Sequence, residues 1–162
     1  VTTPTRAVVA FGANLGDREA TLLSAARELA DSEGVVLRAV APVIETPALR
    51  PHGVDPEAPA YLNTVALIDT TLSPAALHAV LRRVEDAHGR VRAERWGDRT
   101  LDLDLIVYGE LQQDDPELTL PHPRAHERAF VLGPWLAVDA DAVLPGRGRV
   151  SALLAALEEE GS

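Results

Sequence analysis

Asp102-Leu103-Asp104 is the sharpest chemical signal in the chain, because two carboxylates at this spacing acquire a defined geometry in a strand. A period of two puts both on one face and Leu101, Leu103 and Leu105 on the other. Asp is depleted in strands, and like charges at this spacing repel each other, a cost that divalent cations relieve. Carboxylates about 7 Å apart along a strand can share a pair of magnesium ions, the arrangement that clamps a transferring phosphoryl group. An isolated Asp-x-Asp is more often the solvated face of an edge strand. Here, however, Arg90, Arg92, Arg95 and Arg99 lie just upstream, opposed only by Glu94 and Asp98. Guanidinium groups fork onto phosphate oxygens and stabilise charge that builds up during transfer. Paired carboxylates beside a cationic island suit a polyphosphate carrying metal.

Other residues are more ambiguous. Trp96, within the arginine run, offers a face for stacking on a flat heterocycle or a guanidinium, although a lone Trp in a loop more often anchors that loop. His122, between two prolines, could donate to a phosphate or brace the turn. His122 and His126 have the spacing of a helical zinc pair, but Pro123 makes His122 a poor helical residue and the metalloprotease Glu is absent. Gly12-Ala-Asn-Leu-Gly16 lacks the spacing and terminal Lys-Ser/Thr of a P-loop and reads as a tight strand-to-helix turn. There is no nucleophile elbow.

The elements that must position these groups follow from apolar periodicity. Residues 6–11 read as a buried strand, 12–16 as a turn, and Asp17 as the cap of a helix to about Asp31 with Leu22, Ala25, Ala26 and Leu29 inward. Residues 35–45 read as a second strand interrupted near Pro42, and 46–60 as a proline-rich loop of functional length. Residues 61–70 predict a third strand. Ser73-Pro74 caps a helix whose Leu77, Val80, Leu81 and Val84 share a face and which stops at Gly89. Residues 101–108 predict a fourth strand, 112–116 a polar link, and 124–132 and 150–159 two further helices. The order β-α-β-β-α-β with appended C-terminal helices predicts a ferredoxin-like α+β sandwich, a single domain over residues 1–162.

Composition narrows the function. The chain has 162 residues and a net charge of −10, which argues against a general nucleic-acid binder. All 15 basic residues are Arg, so phosphate chemistry falls to guanidinium groups or metals. No apolar run approaches the roughly 18 residues of a membrane span, and the N-terminal Val-Thr-Thr-Pro-Thr lacks the regions of a signal peptide. With no cysteine, a cytoplasmic enzyme that touches neither membrane nor nucleic acid is the expectation.

Taken in order, the motifs resemble the 6-hydroxymethyl-7,8-dihydropterin pyrophosphokinase family along nearly the whole chain. Phe11-Gly-Ala-Asn-Leu-Gly-Asp17, Glu45-Thr-Pro47 and Tyr61-Leu-Asn63 look like its opening turn, substrate loop and third strand. The most specific stretch is Gly89-Arg-Val-Arg-Ala-Glu-Arg-Trp-Gly-Asp-Arg-Thr-Leu-Asp-Leu-Asp104, followed by Leu120-Pro-His-Pro-Arg124 and Arg128-Ala-Phe-Val-Leu132. The resemblance implies transfer of pyrophosphate from ATP to 6-hydroxymethyl-7,8-dihydropterin in folate biosynthesis, by a monomer using two Mg2+ ions. It implies that Asp102 and Asp104 hold the metal, that Arg92 and Arg99 contact the phosphates, and that Arg90 acts on the same loop. Glu85, Arg92, Arg95, Leu105, Thr119, His122 and Arg128 match positions lining the nucleotide site. Thr46, Pro47, Leu49, Tyr61 and Asn63 match the pterin pocket, with Trp96 and Phe130 as its flat walls, and Asp102 faces the substrate hydroxyl. Ala13, Arg82, Asp98, Glu117 and Trp135 depart from the family's usual residues, and none of these departures touches the two aspartates.

Overall fold

The computed structural model describes residues 3–13, 17–46, 60–89 and 101–160, together with the backbone of 49–50 and 53–54. Strand β1 (Thr5–Ala13) is apolar on both faces, as a strand between two helical layers must be. Helix α1 (Arg18–Ala30) begins at Asp17, whose carboxylate accepts the Ala20 N–H at 3.1 Å. Strands β2 (Val35–Val40) and β3 (Ile44–Thr46) follow, separated around Pro42 as their sequence predicts. A two-residue pair, β4 (Leu49–Arg50) and β5 (Gly53–Val54), lies in the segment expected to be loop. Strand β6 (Tyr61–Thr70) leads to α2 (Pro74–Gly89), where Ser73 Oγ accepts the Ala76 N–H at 3.1 Å.

Strand β7 (Asp102–Tyr108) carries the aspartate pair. The hairpin β8 (Gln113–Asp115) and β9 (Leu118–Leu120) then replaces the expected polar link. Its strands are three residues each and β8 is wholly polar, so the Leu-Thr-Leu alternation of β9 is too short to betray the pair. The helix expected over 124–132 is instead a 3-10 turn (Ala125–Glu127) followed by α3 (Ala129–Val138). The boundary moved because Arg128 is extended, and because Pro134 lies inside α3 among buried Val131, Leu132 and Trp135. Burial of that apolar face offsets the backbone hydrogen bond that Pro134 forgoes. A small hairpin, β10 (Val143–Leu144) with β11 (Gly148–Arg149), precedes α4 (Val150–Glu160).

The main sheet runs β2-β6-β1-β7, with β3 also paired to β6, and every pairing is antiparallel. The result is a mixed α/β fold with one helical layer on each side of the sheet. Ala7, Val9 and Phe11 face Leu22, Leu29, Leu77 and Leu81 from α1 and α2. Val8, Val65, Leu67 and Ile106 face Leu132, Trp135 and Val150 from α3 and α4. At one end of the sheet Asp69 of β6 accepts hydrogen bonds from Arg6 of β1 (2.8 Å) and Arg38 of β2 (2.7 Å), stapling three strands. Those two hydrogen bonds hold the Asp69 carboxyl below its ordinary range. The other end, where Gly12 pairs with Asn63 and Asp102, bears the cavity. No helix among the described residues is long and apolar enough to cross a membrane.

Candidate active site

Strand alternation sets the floor of the site. Leu101, Leu103 and Leu105 enter the α1–α2 core at 3% exposure or less, so Asp102 and Asp104 must emerge on the opposite face, and both are half-buried. Beyond the start of α3 that face is open, and a cavity of about 290 Å³ forms there. Thr46, Tyr61, Asn63, Asp102, Asp104, Arg128 and Phe130 line it together with Gly12. Seven of the positions named from the resemblance, drawn from four separate elements and the extended Arg128, thus converge on one space.

The cavity has a hydrogen-bonding side and a charged side. Asn63, 5% exposed, donates from Nδ2 to Thr46 Oγ1 at 2.7 Å, which fixes its amide plane. With one N–H committed, the amide retains a second N–H and its carbonyl oxygen for a ligand. Tyr61 and Phe130 add flat apolar surface. On the charged side, Arg128 Nη1 stands 3.6 Å from Asp104 Oδ2, with its guanidinium carbon 5.7 Å from the Phe130 ring centre. A cation already accompanies one carboxylate.

His122 approaches Asp104 from the β9 side, Nε2 to Oδ1 at 3.9 Å. A cis peptide joins Leu120 to Pro121, and the His122 N–H donates to Ile106 O at 2.8 Å, tying this loop to β7. Its Nδ1 accepts the Arg124 N–H at 3.2 Å, so the neutral ring carries its proton on Nε2, the atom nearer Asp104. Burial holds the imidazole below its ordinary pKa, against the pull of Asp104 and with the help of Arg128 and Arg124. In its neutral form His122 therefore presents an Nε2–H donor on the side of Asp104.

Other expected residues lie elsewhere or beyond the described residues. Glu85 is on α2, on the core side of β7, where it accepts the Leu103 N–H. The Leu105 side chain is core. Thr119 sits in β9, its hydroxyl donating to Asp115 O at 3.1 Å, and lines a second groove of about 450 Å³ on the far side of His122. Leu49 is in β4. Pro47, Arg90, Arg92, Arg95, Trp96 and Arg99 lie outside the described residues.

Sequence reading missed one residue. Gly12, expected in a turn, is inside β1 between Asn63 and Asp102, and a Cβ there would stand 3.3 Å from Asn63 Oδ1. A missing side chain, not a turn, opens the cavity floor. Its signal was the interruption of an apolar strand by glycine, which marks close approach. Gly12→Val should fill this floor and weaken binding of a flat ligand there by about tenfold or more, as overpacking costs ~1–3 kcal/mol. Calorimetry with the heterocyclic ligand would measure it, and unchanged affinity would contradict this role.

The donor set also fits magnesium. Both aspartates supply hard carboxylate oxygens on one face of β7. Mg2+ is typically held by one or two carboxylates and completes its shell with substrate phosphates and water.

Together, the antiparallel α/β fold and a cavity joining an amide, flat apolar walls and paired carboxylates give a site with the chemistry to take a flat heterocycle beside an anion. The chain belongs to the 7,8-dihydro-6-hydroxymethylpterin-pyrophosphokinase (HPPK) family, whose model matches residues 8–140. It is 40% identical over 157 residues to a 2-amino-4-hydroxy-6-hydroxymethyldihydropteridine pyrophosphokinase of Methylorubrum extorquens, covering 97% of this chain and 96% of that one. The Mycobacterium leprae protein of the same name is 45% identical over 170 residues, covering 95% and 84%. Among solved structures, an HPPK-DHPS in complex with substrates superposes with a TM-score of 0.73 at 10% identity, over 98% of this chain and 44% of that chain. Wild-type Plasmodium falciparum HPPK-DHPS with pterin and p-hydroxybenzoate gives 0.71 at 12% identity, over 99% and 45%. The chain spans less than half the length of those structures, and they speak to the fold alone.

Proposed function

We propose that this protein transfers the pyrophosphoryl group of ATP to the hydroxymethyl oxygen of 6-hydroxymethyl-7,8-dihydropterin, giving the pterin diphosphate and AMP. The observation that carries the reading is the single cavity in which the Asn63 amide and the Asp102–Asp104 pair meet. A heterocycle hydrogen-bonded to Asn63 and held between flat walls projects a short substituent toward the carboxylates. Membership of the family supports the substrate pair. The β1-α1-β2-β6-α2-β7 core, in sheet order β2-β6-β1-β7, supports a ferredoxin-like description of the fold. A single cytoplasmic domain acting as a monomer completes the proposal.

The new bond joins the hydroxymethyl oxygen to the β-phosphorus, and the bond from that phosphorus to the α–β bridging oxygen breaks. AMP leaves with that oxygen. Asp102 and Asp104 would hold Mg2+, two ions in our reading, which when bound neutralises polyphosphate charge and stabilises the transferring group. Asp102, facing the cavity, would accept the hydroxyl proton. His122, with its Nε2–H, and Arg128 would donate to phosphate oxygens, while Arg92 and Arg99, with Arg90 on the same loop, would stabilise charge as the bridge breaks. Arg95 and Thr119 would shape the nucleotide site, while Glu85 and Leu105, on the core side of β7, would act on it only through that strand. Trp96 and Pro47, with Leu49, would close the pterin pocket. The protein's contribution is alignment and electrostatics, as in phosphoryl transfer generally.

The test is AMP formation with ATP, magnesium and the dihydropterin. The expected result is one AMP per pterin diphosphate and no AMP when pterin is omitted. AMP released without pterin would mean a hydrolase; none with both substrates would mean a binding module.

A further inference from the structure

Among the described residues, the strand that carries the aspartates pairs with another strand on one side only. β7 pairs with β1 and ends the sheet. In an antiparallel ladder alternate residues turn their N–H groups away from the partner, so an edge strand leaves such groups without a strand to receive them. Leu103 is such a residue. It stands opposite Phe11, its side chain is 1% exposed, and its N–H points to a side chain rather than a strand. That side chain is Glu85 of α2, whose Oε2 accepts the Leu103 N–H at 2.8 Å while its Oε1 accepts from Arg82. Glu85 is itself 8% exposed, one of few polar side chains buried among the described residues.

We propose that Glu85 is the positioning residue of the aspartate pair: its carboxylate replaces the missing strand at the residue between Asp102 and Asp104. The inference rests on reading those aspartates as the metal-holding pair. The peptide N–H of Leu103 belongs to the plane that links it to Asp102, so the hydrogen bond sets how that plane is turned. The Leu103 side chain, packed between the helices, sets its depth. With both held, the flanking carboxylates stay on one face at strand spacing. Arg82 occupies the other carboxylate oxygen and holds the group in its rotamer. Glu85 thereby acts on metal and nucleotide through β7. Groups that orient metal ligands typically govern affinity by about 10–100-fold.

Two variants separate reach from charge. Glu85→Gln keeps an oxygen within reach of the Leu103 N–H, and half-exposed Arg82 can turn to solvent. Glu85→Asp keeps the charge but is one methylene too short. Turnover is measured against magnesium at fixed ATP and pterin, alongside thermal melting and exchange of the Leu103 amide. The expected result is that Glu85→Gln stays within about threefold of the wild-type half-saturating magnesium, whereas Glu85→Asp raises it about tenfold or more. Pterin KM stays within about twofold, since the change lies across β7 from that pocket. The Leu103 amide is protected in the nucleotide-free wild type although it lies at a sheet edge. A folded Glu85→Asp with native magnesium dependence would overturn the proposal, as would an unprotected Leu103 amide in the wild type. A Glu85→Gln variant as impaired as Glu85→Asp, with raised KM for ATP, would make Glu85 a direct nucleotide contact instead. Should Glu85→Asp not fold, the wild-type exchange and Glu85→Gln decide. Asp104→Asn, run in parallel, separates the two layers. Native activity there removes the metal reading itself, whereas inactivity there beside a native Glu85→Asp removes only the positioning role.

Discussion

Asp102→Asn and Asp104→Asn should each lower kcat about a thousandfold at saturating substrates while leaving the fold intact. The substitution is nearly isosteric, so Leu101, Leu103 and Leu105 keep their places in the core. What changes is charge: an amide binds a divalent ion far more weakly than a carboxylate and cannot take up a hydroxyl proton. Metal-assisted charge stabilisation supplies several kcal/mol in phosphoryl transfer, and ~4 kcal/mol is about a thousandfold in rate. Stability without metal should move little, because two opposing effects act. Each variant relieves repulsion between carboxylates on one strand face. Asp104→Asn also gives up the ion pair to Arg128 at 3.6 Å, a partly exposed contact that contributes at most ~1 kcal/mol. The melting temperature should therefore shift by no more than about 4 °C for a chain of this size. Steady-state kinetics over a magnesium series, with melting curves on the same samples, would check both halves. Native turnover in either variant at ordinary magnesium would remove that residue from the metal site.

The second large effect belongs to the other side of the cavity. Asn63→Ala should weaken pterin binding by about 100-fold and leave ATP binding, measured without pterin, within about twofold. The amide is buried, oriented by Thr46, and presents one donor and one acceptor to the cavity. Two lost hydrogen bonds at ~0.5–1.5 kcal/mol each, together with ligand groups left unpaired, amount to roughly 3 kcal/mol. Thr46→Val should reproduce a lesser part of the loss, about five- to tenfold, because it frees the amide to turn without removing it. Calorimetry with each ligand separately distinguishes the outcomes. A pterin affinity within threefold of native, or an equal loss for ATP, would show that Asn63 does not select the heterocycle.

Much of this was legible before any coordinates, for local reasons. Asp17 and Ser73 cap α1 and α2 as their residue types require, because a cap depends on four consecutive residues and little else. The strand over 101–108 and the shared face of Asp102 and Asp104 follow from a period of two within one segment. Gly12 was visible as a glycine but misread as a turn, since its reason for being small lies on β6, 51 residues away in the pairing of Gly12 with Asn63. The β8–β9 hairpin was invisible, because β8 carries no apolar residue, the alternation of β9 spans only three residues, and the two are held mainly by backbone pairing.

The remaining features arise only when distant segments meet. Arg128 reaches Asp104 because the chain turns back after β9 and leads into α3, which packs over β6, leaving the residue before the helix beside Asp104. His122 owes its tautomer to a backbone N–H two residues on, and its lowered pKa to burial that the local sequence does not encode. Glu85 meets Leu103 because α2 packs along β7 at an edge where, among the described residues, no further strand pairs with it. Residue types and short spacings carry the chemistry a chain can attempt. Which oxygen faces which N–H is a property of packing, and packing is long-range.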